Sequence, residues 1–237
     1  MPGSLAPRIP AATTCTHTRH HVSVLADVER QVLVWLAVRL PPHVTSDGLT
    51  YIGAAGMIGA AGALAAAPQS RTWLALVPVF LAINWFGDSL DGTLARVRNA
   101  QRPRYGYYFD HAVDLVNTLV LFAGVAVSGI ASPLVAAGLL VAYLLLAAES
   151  FLATQALGVF RISFGGFGPT ELRILLSVGA IAAIRHPVVT PFGLGEVRLW
   201  DLGGCCGIAG MMTVFAITAV RNARALSAAD PMPGGRS

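Results

Sequence analysis

The chain has 237 residues, of which 55% are hydrophobic and 12% charged. Soluble domains carry about 25% charged residues, and the mean hydropathy here is +0.65, so the composition excludes a soluble globular enzyme. It equally excludes a disordered chain, which needs low hydrophobicity and high charge. What remains is an all-α integral membrane protein of several spans. The 16 basic residues are all Arg, 12 residues are acidic, and the net charge is +4. So small an excess, spread along the chain, is no nucleic-acid footprint. Cys15, Cys205 and Cys206 fit neither a disulfide framework nor zinc-ligand spacing and read as small apolar residues.

Residues 1–23 are rich in Pro, Thr and His and lack apolar periodicity, which predicts a disordered tail. No apolar core of secretory type is present in them. Arg8 and Arg19 without acidic neighbours faintly suggest an organelle transit peptide, and His17, His20 and His21 read as tail residues without a specific role. Residues 24–40 predict an amphipathic helix in the membrane interface. Leu25, Val28, Val32, Trp35 and Leu36 form its stripe, with Asp27, Glu29, Arg30 and Arg39 on other faces. The pair Pro41-Pro42 ends it.

Six apolar segments follow, at about 48–67, 72–96, 106–129, 133–158, 169–187 and 199–221. Each is long enough for about 30 Å of hydrocarbon at 1.5 Å per residue. The reading is a bundle of six transmembrane helices over 24–225, preceded by the interfacial helix, with a disordered tail over 226–237. The first span is rich in Gly and Ala, which suits close helix packing. Strand signals and internal repeats are absent. With six spans, one membrane side holds thirteen Arg residues and the other holds Arg71, Arg185 and Arg198. Both termini are therefore expected to be cytoplasmic.

One stretch, residues 87–114, breaks the apolar pattern and holds Asp88, Asp91, Asp110 and Asp114. Asp88 and Asp91 are three apart and Asp110 and Asp114 four apart, so on helices each pair shares a face. The two helices would be antiparallel neighbours joined by a short basic loop, with both pairs at the cytoplasmic end. An Asp near a span's centre costs about 2.5–3.5 kcal/mol, and clustered carboxylates repel one another. Divalent cations would relieve the cluster, because hard ions such as Mg²⁺ and Mn²⁺ prefer oxygen ligands. Two such ions form a common phosphoryl-transfer device. The plainer reading is an ion network with Arg96, Arg98, Arg102 and Arg104. Gly92 and Ala95 lack bulk and would let a nucleotide or diphosphate approach the helix; close helix packing is the other reading of Gly92. Arg96 suits either a phosphate contact or the cytoplasmic boundary.

These residues resemble the signature of the CDP-alcohol phosphotransferase family, also called CDP-alcohol phosphatidyltransferases. Its pattern is D-x-x-D-G-x-x-A-R, a spacer of about eight or nine residues, then G-x-x-x-D-x-x-x-D. Asp88, Asp91, Gly92, Ala95, Arg96, Gly106, Asp110 and Asp114 match all eight fixed positions. The spans and the preceding helix also look like the family's architecture. The resemblance implies transfer of a substituted phosphate from a CDP-linked donor, CDP-diacylglycerol or another CDP-alcohol, to an alcohol or lipid acceptor with release of CMP. It implies that Asp88, Asp91, Asp110 and Asp114 hold two divalent cations, Mg²⁺ or Mn²⁺. It implies further that Asp114 deprotonates the acceptor and that Gly92, Ala95, Arg96 and Gly106 lie at the nucleotide. Members often form dimers, so a homodimer is expected on that ground.

The acceptor is less legible. A phosphorylated acceptor wants an Arg pocket, for which Arg161 and Arg173 are candidates; positive-inside anchoring explains them as well. The run Phe109-Asp110-His111 resembles the choline and ethanolamine branch, and Glu149 stands alone in the fourth span. Three other classes compete: an aspartate-rich membrane prenyltransferase, a cation transporter with an acidic site, and a non-catalytic relative. The first usually has more spans and distant motifs. The second favours midplane sites with broken helices. The third is opposed by the presence of all four aspartates.

Overall fold

The computed structural model describes residues 26–157, 168–193 and 195–230. The readings of the tail over 1–23 (with Cys15 and the three His residues), of Arg161 and of Arg236 lie outside them. Among the described residues there are seven α-helices: α1 (Ala26–Arg39), α2 (Ser46–Ala65), α3 (Val77–Val97), α4 (Pro103–Val127), α5 (Pro133–Leu157), α6 (Pro169–Arg185) and α7 (Leu199–Ala229). Pro begins α4, α5 and α6, where the missing N–H has no helical partner to lose. The Thr45 hydroxyl caps α2 by accepting from the Gly48 N–H at 3.1 Å. α7 continues past residue 225, the expected end of the membrane unit, to Ala229.

Among the described residues, five helical stretches are long and apolar enough to cross a membrane: α2, α3 with the 3-10 turn at Arg71–Leu76 before it, α4, α5 and α7. α6 has 17 residues and falls short by length, so the expected count of six is approximate. Pro169 and Pro187 fence it on both sides. It still runs the depth of the bundle. Arg173 near its start bonds Asn84 and Asp88, while Ala180 and Ala183 near its end join the core of Leu74 and Val77.

The closest packing is between α2 and α3. A Cβ on Gly87 would lie 2.3 Å from the Gly53 nitrogen, and one on Gly56 2.6 Å from the Asn84 nitrogen. The small-residue stripe of the first span therefore packs one helix backbone on another, as expected. α5 and α7 run in the same direction. The Ser132 N–H donates to Asp201 at 2.6 Å at one end, and the Asn222 amide donates to Glu149 at 2.6 Å at the other. Glu149 thus serves a buried helix contact.

Two features go beyond the expectations. α1 packs through Leu33 and Ala37 on Leu90 and Leu94, with Leu36 and Leu40 alongside, and Glu29 is on this packed face. Of the expected stripe, Val32 is 41% and Trp35 54% exposed, as suits the membrane-facing side of an interfacial helix. The helix carries two apolar faces, and periodicity alone does not choose which one meets protein when the other meets lipid. Second, a two-residue antiparallel pair, Val188–Val189 with Val197–Arg198, closes the α6–α7 connection. It is too short to leave an alternating pattern.

Candidate functional site

α3 carries Asp88, Asp91, Gly92, Ala95 and Arg96, and α4 carries Gly106, Asp110 and Asp114. Between them the chain reverses in a few residues. Asn99 takes φ 52°, a left-handed conformation that Asn tolerates. Arg98 at the end of α3 donates to the carbonyls of Leu40 (3.0 Å), Pro41 (2.9 Å), Pro42 (3.4 Å) and Val44. That fixes the α1–α2 elbow to the motif end of α3.

On α4, Asp110, His111 and Asp114 each present a ligand atom within 4.8 Å of the others. The His111 Nδ1 is 3.9 Å from Asp110 and 3.8 Å from Asp114, and its ring meets Tyr107 edge-on at 4.4 Å. On α3, Asp91 is 8% exposed. Its Oδ2 accepts from the Thr50 hydroxyl at 2.6 Å, its Oδ1 from the Gly92 N–H, and its carbonyl from the Ser46 hydroxyl at 3.0 Å. Asp88 is paired with Arg173, whose Nη2 donates to Oδ2 and whose Nε donates to Asn84 at 2.8 Å. Asn84 is held in turn by its amide on the Gly53 carbonyl at 2.9 Å. Asp114 is within electrostatic reach of Asp88 and Arg173, and Asp91 of Asp88 and Asp114.

α2 packs against both α3 and α4, so the two motif helices are not the direct neighbours expected, and Asp88 and Asp91 reach Asp114 electrostatically without joining its tight group. Asp110 and Asp114 form one tight group with His111, while Asp88 and Asp91 are each engaged from a neighbouring helix. Two Arg residues of the basic loop are engaged away from the motif aspartates. Arg98 serves carbonyls, and Arg102 chelates Asp47 at 2.6 and 2.7 Å and stacks on Tyr105 at 4.1 Å. The hydrogen bonds that Arg102 donates to Asp47 hold its pKa above the ordinary value. Arg96 donates to the Thr93 hydroxyl at 2.9 Å.

Gly92 is not a packing glycine. A Cβ there would meet only the Arg96 guanidinium, at 3.4 Å, and one on Gly106 would meet nothing within 4 Å. Ala95 is half-buried and Arg96 exposed on the same stretch of α3. This face is open beside the carboxylates. Sequence reasoning missed Thr50 and Asn84 as partners of the aspartate helix. Their signal is faint: polar residues in apolar spans. His111 was noticed only as part of a tripeptide.

Hard oxygen donors on two helices suit Mg²⁺ or Mn²⁺ better than a softer metal. Residues 44–220 match the family model described as CDP-alcohol phosphatidyltransferase. A phosphatidylinositol phosphate synthase of Cutibacterium acnes is 36% identical over 87 residues, which are 37% of this chain and 40% of that protein. The chain thus covers less than half the length of that relative.

Proposed function

Because the chain belongs to the CDP-alcohol phosphatidyltransferase family, an enzyme family of phospholipid headgroup transfer, we propose that it moves a substituted phosphate from a CDP-linked donor to an alcohol and releases CMP. The observation that carries this reading is the convergence of Asp88, Asp91 and Asp114 across α3 and α4, with Asp110 beside Asp114, next to the open face at Gly92.

Asp88, Asp91, Asp110 and Asp114 would hold two divalent cations. When bound, such ions neutralise a diphosphate and stabilise charge on the attacking and leaving oxygens. Gly92 and Ala95 leave room for the CDP moiety against α3, and Arg96 at the rim suits its phosphate oxygens. Asp114 takes the proton of the acceptor hydroxyl. The freed oxygen attacks the phosphorus that carries the transferred group, and the bond from that phosphorus to CMP breaks. A base in this role must be within hydrogen-bond reach of the hydroxyl, and Asp114 sits on the inner side of α4, held near His111. Arg173 offers a cation beside the aspartates for a phosphorylated acceptor. With both termini cytoplasmic, the site opens on the side that supplies a soluble nucleotide.

The relative's name makes a CDP-linked lipid and inositol phosphate the first pair to assay. The test is a matrix of CDP-donors and alcohol acceptors with purified protein and Mg²⁺ or Mn²⁺, read as CMP release. Release that requires donor, acceptor and metal together supports the reading. Folded protein that releases no CMP with any pair contradicts it.

A further inference from the structure

Glu29 on α1 is outside the aspartate motif. Its Oε1 accepts three hydrogen bonds: from the Trp85 indole at 2.7 Å, the Thr170 hydroxyl at 3.0 Å and the Ser89 hydroxyl at 3.4 Å. A partly buried carboxylate needs such donors to offset lost hydration. Here they come from two different helices. Trp85 and Ser89 lie one turn apart on α3, and Thr170 lies in the first turn of α6.

The opposite flank of the same seam carries a second link. Asn84 and Asp88, one turn apart on α3, hold Arg173, which is three residues beyond Thr170 on α6. The start of α6 is therefore fixed to α3 at two points. Glu29 bridges one flank and Arg173 the other. A rotation or slide of α6 that breaks the Thr170 bond also carries Arg173 away from Asp88, because three residues on a helix share a face.

We propose that Glu29 is a positioning residue for the aspartate site: it anchors the start of α6 to α3 so that the Arg173 guanidinium rests on Asp88. Arg173 is then an internal cation whose charge competes with a divalent ion for that carboxylate, and Glu29 sets how firmly it does so. The proposal rests on the reading of Asp88 as a metal ligand, and its test needs neither donor nor acceptor.

The experiment is Mn²⁺ binding to the purified full-length protein in detergent, followed by the electron paramagnetic resonance signal of free Mn²⁺. Arg173→Ala removes the competing charge and should tighten binding at least about fivefold, the upper end for an exposed pair, since this pair is less exposed. Glu29→Ala should tighten it in the same direction, and Glu29→Gln, which keeps the accepting oxygen, should restore the wild-type value. Thr170→Val removes only the α6 arm and should behave like Glu29→Ala, which keeps the test alive if the alanine variant does not fold. The double variant Glu29→Ala/Arg173→Ala should bind no more tightly than Arg173→Ala. A merely structural role for Glu29 would instead give independent, multiplying effects. Bound Mn²⁺ that is insensitive to Glu29→Ala and Thr170→Val overturns this proposal alone. Wild-type protein that binds no Mn²⁺ overturns the reading of the aspartates and this proposal with it.

Discussion

Arg173 on α6 donates from Nη2 to Oδ2 of Asp88 on α3, joining residues 85 apart in sequence across the seam where the motif faces its neighbour. The pair places a guanidinium on one of the four motif aspartates. It also gives the candidate acceptor residue a definite place. Replacing Arg173 by Ala is expected to raise the KM for a phosphorylated acceptor at least tenfold, because a charge-assisted hydrogen bond contributes roughly 1.5–3 kcal/mol. An unphosphorylated acceptor should be affected much less. Steady-state CMP release with the two acceptor types checks this, and equal KM values in wild type and variant remove Arg173 from the acceptor pocket.

The Thr50 hydroxyl gives a second handle. It donates to Asp91 at 2.6 Å from a helix that carries no motif residue. Thr50→Val keeps the shape and deletes the donor, at a cost of about 1.5–3 kcal/mol for a bond to a charged group. The metal concentration for half-maximal CMP release should rise by tenfold or more, with Thr50→Ser close to wild type. A metal titration of the three proteins decides it.

Two glycines that look alike in the sequence should behave oppositely. Gly87→Ala places a Cβ 2.3 Å from the Gly53 backbone, and overpacking of this kind costs about 1–3 kcal/mol. The melting temperature of that variant should fall. The Cβ of Gly92→Ala meets only the movable end of Arg96, so the melting temperature of that variant should stay near wild type while donor binding and CMP release fall. Thermal unfolding and a CDP-donor binding assay, run side by side, separate the packing role from the ligand-facing one.

The same pair shows what was legible in the sequence. Apolar length and small-residue content revealed the spans, and the spacing within 88–114 located the aspartates on two helices. Neither distinguished Gly87 from Gly92, because that depends on which side of α3 meets α2. The protein-packed face of α1 is hidden for a related reason. Lipid and protein both accept apolar side chains, so a helix with two apolar faces does not reveal its packed one. Glu29 reads in the sequence only as a residue off the apolar stripe, and the fold brings its three donors on α3 and α6 to it. The shortness of α6 is also hidden, since 169–187 reads as one mainly apolar segment while Pro187 stops the helix. Long-range partners such as Arg173 with Asp88 leave no local pattern.

Asp114 carries the central claim, that one aspartate of the motif takes the acceptor's proton while the set as a whole binds the donor. Asp114→Asn keeps the side chain's size and removes its basicity. The decisive measurement is CMP release by the purified variant with Mg²⁺ or Mn²⁺, alongside its affinity for the CDP-donor. The expected result is release reduced by about 10²-fold or more, the contribution of a positioned base, with donor binding largely retained. Full CMP release by the Asn variant would contradict the account.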